Sequence, residues 1–261
     1  MTNDNVQSRK LKFLGCEIIY REACFLAATG PHQVDVEFCL KGLHDLPRED
    51  MLAHMQRVVD AVPEDAGYEA ILLGYARCND GLVGLQAGGI PLVIPRAHDC
   101  ITFFFGSRSE FQRYFNEYPG TYYLTTGWTE RNKFGEEGYS TPAYGREGVM
   151  AKLGLTEPYE VMVQKYGKDN ADFIVESLGG WMKHYTRSLY LEMEVCDEAP
   201  FIERAEAEAQ EKGWTFERRK GDWSLLRKLF YGQWDEDFLI VPPKHRIVAC
   251  NDDTVMAAEP Y

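Results

Sequence analysis

The sequence predicts an α/β protein with a mainly parallel, Rossmann-like sheet in its first half and a smaller α/β unit in its second half. Three observations predict it. First, the apolar runs Ala70–Leu73, Pro91–Ile94 and Thr121–Leu124 are too short for helices and are bounded by turn chemistry, so they read as buried strands. Second, segments with apolar residues at helical spacing alternate with strand-like runs, which is the β-α-β order of parallel pairing. Third, chemistry-bearing residues follow the runs directly: Gly-Tyr-Ala-Arg-Cys-Asn-Asp-Gly after the first, Pro-Arg-Ala-His-Asp-Cys after the second and Thr-Thr-Gly-Trp after the third. Open parallel sheets bind ligands outside the carboxyl ends of their strands.

Taken in order, Leu11–Gly15 opens the fold as a strand, with Cys16 and Glu17 at its end. Ile18–Ala28 reads as a helix closed by Gly30-Pro31, and Val34–Leu40 alternates as a second strand. After the turn Gly42–Pro47, apolar residues at Met51, Leu52, Met55, Val58, Val59 and Val62 mark a helix over Asp50–Val62. A helix is expected at about Gly81–Ala87. Another begins near Ser107, where Ser107 and Glu110 match a capping box. These elements make residues 10–128 a Rossmann-like domain.

Residues 129–185 read as an insertion, a Gly- and Glu-rich, lid-like loop followed by helical patterns at Arg146–Leu153, Pro158–Tyr166 and Asn170–Tyr185. Residues 186–261 read as a second, smaller α/β unit. It has strands at Leu189–Met193, Trp214–Arg218, Phe238–Val241 and Ile247–Ala249, and helices at Phe201–Lys212 and Trp223–Phe230. The closing strands either complete this unit or extend the first sheet. No repeat or low-complexity tract interrupts the chain.

Composition narrows the function classes. A net charge of −13 argues against nucleic-acid binding, which needs a basic surface. No apolar run approaches a membrane span, and the start MTNDNVQSRK lacks the apolar core of a signal peptide, so the expected location is cytoplasmic. Seven cysteines in 261 residues is too sparse for a disulfide scaffold. In a reducing compartment they are core residues, metal ligands or reactive groups. The sequence has no Gly-x-Ser-x-Gly elbow, no His-Glu-x-x-His helix, no phosphate-binding glycine loop and no Asp-x-His-x-x-Gly corrinoid signature.

The blocks Gly74–Leu82, Pro95–Ile101, Gly106–Arg108 and Gly120–Leu124, with Cys16-Glu17 and the Gly-Leu-His-Asp-x-Pro turn at Gly42–Pro47, resemble the DUF1638 family, a domain of unknown function. The resemblance covers most of the first half and thins after Trp128. This sequence departs from the family's glycines at Ala76 and Arg77. The resemblance implies one-carbon metabolism, with a corrinoid protein or a corrinoid-dependent methyltransferase as partner, and it supplies no reaction.

Cys16, Cys78 and Cys100 each lie just beyond a different predicted strand, and His98 stands two residues before Cys100. If those strands are neighbours, three thiols and an imidazole converge on one sheet edge. Such donors suit zinc, with an iron–sulfur cluster or a corrinoid as alternatives. His-x-Cys with a remote cysteine also resembles, in chemistry alone, the zinc site of methyltransferases that pass a corrinoid-bound methyl group to a thiol. Glu17, Asp99 and His44 are candidates for a second layer orienting the ligands. The competing reading makes the cysteines small buried hydrophobes, and it is the preferred one for Cys24, Cys39, Cys196 and Cys250.

Arg77, Asn79, Asp80, Arg96, Ser107 and Arg108 flank the same edge and would bind a phosphate- or carboxylate-bearing small molecule. Equally, Ser107 only caps its helix and the arginines pair with nearby carboxylates. The function expected is a metal-dependent enzyme acting on a small molecule, with methyl or other group transfer as its reaction. The alternative is a non-catalytic metal-, iron–sulfur- or corrinoid-binding accessory protein.

Overall fold

The computed structural model describes residues 7–78, 80–131, 159–171 and 184–261. The expected helix at 146–153, most of the loop from 129 and most of the helix from 170 lie outside these residues. The chain divides into two compact units. One comprises Met1–Tyr114, Met193–Asp197 and Lys220–Tyr261, and the other comprises Phe115–Glu192 and Glu198–Arg219.

The first unit is built on a five-stranded sheet. Its strands are β1 (Lys10–Cys16), β2 (Gln33–Cys39), β3 (Ala70–Gly74), β4 (Leu92–Pro95) and β8 (Phe238–Val241), in the order β2-β1-β3-β4-β8. The first four are mutually parallel, and β8 joins β4 antiparallel with Phe238 opposite Pro95. Every residue of β3 and β4 is buried, as expected for central strands covered on both faces. The edge strand β2 is largely exposed, and Lys12 pairs with Glu37 across to it at 2.7 Å. Phe238–Val241 thus extends the first sheet, the second of the two placements the sequence left open.

The connections follow local chemistry. Helix α1 (Tyr20–Thr29) is preceded by a 3-10 turn at Glu17–Ile19. It ends at Gly30, whose N–H still reaches Leu26 O at 2.8 Å before Pro31 stops the helix. Helix α2 (Arg48–Asp60) starts right after Pro47, with Glu49 and Asp50 in its first turn and Arg57 in its last, the arrangement that complements the helix dipole. It buries Met51, Met55 and Val59, one face at i, i+4, i+8. Helix α3 (Thr102–Phe105), which the sequence pattern does not distinguish, is a buried turn of four residues before α4 (Arg108–Glu117). Helix α8 (Ser224–Phe230) returns to the sheet and stacks Phe230 on Phe13, ring centroids 4.8 Å apart.

The helix expected at Gly81–Ala87 is absent. Residues 80–84 are a series of turns, with Asp80 at φ 60° and Gly84 at φ 103°, and Gln86 then bridges to Arg246. Left-handed backbone at Asp80 and Gly84 is incompatible with a right-handed helix. Leu82 and Leu85 are buried through the turn instead.

At the sheet centre, Gly15 of β1 lies opposite Gly74 of β3. The Phe13 ring covers both: a Cβ added at either would sit 2.3 Å from Phe13 Cζ. Glycine is required there by close approach, and it lets a large ring fill the space above two strand ends. A hairpin of β9 (His245–Ala249) and β10 (Met256–Pro260) closes the unit.

The second unit has a sheet of order β5-β6-β7, formed by Thr121–Leu124, Arg187–Glu192 and Thr215–Lys220. Strands β5 and β6 are parallel. Helix α7 (Ala199–Glu211) makes the crossover from β6 to β7, and buries Ile202, Ala205 and Ala209. Leu124, Tyr190, Ile202 and Ala205 form its core, flanked by Tyr122, Trp128, Phe201 and Phe216. The short helices α5 (Thr126–Glu130) and α6 (Tyr159–Tyr166) complete the described part. Thr121–Leu124, the third apolar run, therefore belongs to a different sheet from the first two.

Candidate functional site

The strand order contains the reversal beside which open parallel sheets commonly bind ligands. From β1 the chain moves outward to β2, then returns past β1 to β3 and continues to β4. The order reverses between β1 and β3, and in open parallel sheets the crevice at such a reversal, outside the carboxyl ends, is the binding position. Cys16 ends β1, and Cys78 follows β3 by four residues. Cys100 follows β4, the next strand over, by five.

The loops after β3 and β4 continue side by side beyond the sheet. Arg77 N donates to Ala97 O at 2.9 Å and Cys78 N to His98 O at 3.3 Å. This brings the Cys78 and Cys100 sulfurs to 3.1 Å from each other. Cys78 is half-buried and holds a left-handed backbone at φ 42°, uncommon for a residue with a side chain; Cys100 is buried. Cys78 and Asp80 thus both hold strained backbone where the thiol is presented.

A fourth thiol joins this edge. Cys39 ends β2 directly opposite Cys16 in the parallel register, so four adjacent strands, β2, β1, β3 and β4, each end at or lead to a cysteine. Tyr75, the first residue after β3, is fully enclosed, and its hydroxyl lies against the Cys39 thiol with no oxygen or nitrogen partner. Cys39 is buried, as its reading as a core residue expects.

Burial governs the protonation of these groups. It pushes the Cys16 thiol well above its ordinary value, with Cys100 and Glu17 adding to the rise and the Ile18 N–H opposing it. At Cys100 the hydrogen bond with Cys78 is the largest cause of an upward shift, followed by burial, while the Ala76 N–H opposes it. Burial raises Cys39 as well, and drives Tyr75 well above the usual phenol range. Cys16, Cys39 and Cys100 are therefore biased toward the neutral thiol. None of the seven cysteines is in a disulfide. Among the described residues no group of three or more His, Cys, Asp or Glu side chains is already gathered as a metal-binding set.

The remaining predicted residues sit as follows. Glu17 is buried, and its Oε1 accepts the Lys41 N–H at 2.8 Å, tying the segment after β2 to the end of β1. His98 is exposed, and its charge is one of the smaller influences that lower the Asp80 carboxyl. Asp99 Oδ1 accepts from Ile101 N at 2.8 Å and starts the turn into α3. Arg77 hydrogen-bonds Asp80, which is the main reason the Asp80 carboxyl is depressed, and its Nη1 also donates to Cys250 O at 3.2 Å.

Arg96 donates from Nε to Phe238 O at 3.2 Å and from Nη1 to Thr254 O at 2.7 Å and to Met256 O. Both arginines therefore hold the C-terminal segment of the unit in place. Ser107 Oγ accepts from Glu110 N at 3.2 Å, the cap of α4 that the sequence pattern announces. Arg108 is half-buried on the first turn of α4. His44 lies in a 3-10 turn, Lys41–Asp45, with its side chain outside the described residues, as is Asn79 altogether.

In the second unit, sequence reasoning missed a buried polar group at the strand ends. Thr126 Oγ1 lies 2.8 Å from Tyr190 Oη and donates to Glu198 Oε1 at 2.8 Å. Only the fold brings these residues together, since they are spread over 72 positions.

Neither a curated protein nor a solved structure matches the chain. Among the described residues no helix is long and apolar enough to cross a membrane. One protein-family model, described as a protein of unknown function and designated DUF1638, matches residues 38–230, and the chain belongs to that family.

Proposed function

We propose that the first unit binds a thiophilic metal ion, zinc before others, at the reversal between β1 and β3, and uses it in a group-transfer reaction on a small molecule in the cytoplasm. The observation that carries this reading is the approach of Cys78 Sγ to Cys100 Sγ at 3.1 Å, on loops that leave neighbouring parallel strands. Two sulfurs on one tetrahedral zinc, each at about 2.3 Å, lie about 3.8 Å apart. The pair needs to part by only about 0.7 Å to share an ion.

Cys16, at the end of β1 beside β3, is the third donor in this reading. His98, exposed two residues before Cys100, is the fourth donor in this reading. Bound there, zinc would supply a Lewis acid and keep a coordinated substrate thiol deprotonated at neutral pH. The chain's own contribution is a dry, closely packed wall formed by Tyr75, Cys39 and the Phe13-covered strand ends. Methyl transfer in corrinoid-linked metabolism is the reaction class that such a thiol-activating centre serves best, with a corrinoid protein or methyltransferase as partner.

The test is metal analysis and an absorption spectrum of untagged protein purified without oxygen. The expected result is about one zinc per chain and no visible chromophore, with the metal lost in Cys100→Ser while the far-ultraviolet circular dichroism is kept. A visible iron–sulfur or corrinoid band would replace zinc in the assignment. Full zinc occupancy in a folded Cys100→Ser protein would refute the site.

A further inference from the structure

We propose that Cys78 and Cys100 form a reversible dithiol–disulfide couple that exchanges with low-molecular-weight disulfides, a modification site independent of any metal.

Three observations support it. The two sulfurs are 3.1 Å apart, about 1 Å beyond a bonded pair at ~2.05 Å. The thiols differ in access: Cys78 is half-buried on a turn, whereas Cys100 is buried behind it. One sulfur can therefore meet an external disulfide, and the other can meet only its neighbour. Finally, the Cys78 backbone is held in the left-handed region by a short turn, Gly81 N to Cys78 O at 3.1 Å, and by the Cys78 N to His98 O bond. The Cys78 N to His98 O and Arg77 N to Ala97 O bonds hold the loops after β3 and β4 together, so neither loop has to travel for the sulfurs to meet.

The chemistry balances with the external disulfide as oxidant. The Cys78 thiolate attacks one sulfur of R–S–S–R, forming Cys78–S–S–R and releasing RS⁻, which takes up the proton that Cys78 gave to solvent. The Cys100 thiol then loses its proton and attacks the Cys78 sulfur of the mixed disulfide. This forms the Cys78–Cys100 bond and releases the second RS⁻, which is protonated to RSH. Two protein thiols are oxidised, and one small disulfide is reduced to two small thiols.

Closure removes both sulfurs from the set proposed to hold zinc, so oxidised protein would have no thiolate pair to offer. Cys16 and Cys39 are the competing pair, placed opposite each other in the β1–β2 register, but both are buried and neither can be attacked first from solvent.

The test uses the full chain, reduced, freed of metal with a chelator and titrated with glutathione disulfide under nitrogen. Keeping metal out makes the outcome independent of the zinc reading, which is judged separately by metal content of the reduced protein. The expected result is loss of the Cys78 and Cys100 thiols with a proteolytic map linking the Cys78 peptide to the Cys100 peptide, while any glutathione taken up at Cys24, Cys196 or Cys250, which are also half-buried, stays as a simple adduct. Dithiothreitol should restore all seven. Cys100→Ser should stop at a stable glutathione adduct on Cys78, and Cys16→Ser should close as the unsubstituted chain does. A chain that stays fully reduced, that keeps the adduct on Cys78 with Cys100 present, or that links Cys16 to Cys39 instead would overturn the proposal.

Discussion

Gly74→Ala tests whether the sheet centre is held by the contact between one ring and two glycines. The new Cβ would sit 2.3 Å from Phe13 Cζ, 2.7 Å from Cε2 and 3.0 Å from Gly15 Cα. The ring has little room to withdraw, because Phe230 stacks on it at 4.8 Å and Phe38 meets its edge at 5.8 Å. Overpacking of this kind costs about 1–3 kcal/mol. For a chain of this size each kcal/mol lowers Tm by roughly 2–4 °C, so a drop on the order of 2–12 °C is expected.

Phe13→Leu would shorten the offending side chain and on its own would cost about 1–2 kcal/mol as a smaller residue in a filled site. Because the two residues touch, their effects should not add. The double variant should be less destabilised than the sum of the singles by at least about 1 kcal/mol. Urea denaturation of the four proteins measures this. Additive effects, or a neutral Gly74→Ala, would show that the ring does not hold the strand ends in the way described.

Two further outcomes follow from the same geometry. Cys16 and Cys100 keep their protons in the fold beyond the pH at which the unfolded chain loses them, Cys16 because of burial and Cys100 because of its bond to Cys78. A raised folded pKa gives stability that is whole below the unfolded value and falls as pH rises through the folded one, so denaturation midpoints of reduced, metal-free protein should decline above roughly pH 9. That decline should be smaller in Cys16→Ala. Arg96→Met removes the donors to Phe238, Thr254 and Met256 carbonyls and should cost about 1.5–3 kcal/mol, read as faster hydrogen exchange through β9 and β10. Unchanged exchange there would mean that the guanidinium is available for another ligand.

Much of this architecture is legible in the sequence because it rests on short-range signals. Ala70–Leu73 and Phe238–Val241 are apolar runs cut off by turn residues, and Gly30-Pro31 and Ser107 mark helix ends by their own backbone chemistry. What depends on long-range pairing is not legible. Nothing in Thr121–Leu124 tells that it pairs with residues 187–190 rather than with the first sheet. The segment after Cys78 has helix-like spacing in Leu82, Leu85 and Gln86, yet the left-handed Asp80 and Gly84 turn it instead.

The cysteine site was half legible. Position after a strand singled out Cys16, Cys78 and Cys100, and the strand order does place their strands side by side. Cys39, between Phe38 and Leu40, reads as core and is buried, and only the β1–β2 register adds that it lies opposite Cys16. The arginines, which look like anion ligands in a linear reading, are engaged by carbonyls of the last 25 residues, a partnership that spans about 140–175 positions for Arg77 and Arg96 alike.

The proposed centre is tested most directly by the X-ray absorption fine structure of zinc-loaded, reduced protein. The expected first shell is two or three sulfurs at about 2.3 Å, with at most one nitrogen at about 2.0–2.1 Å, and sulfur is lost from that shell in both Cys78→Ser and Cys100→Ser. A first shell of oxygen and nitrogen alone, or a sulfur shell unchanged in those two variants, would contradict it.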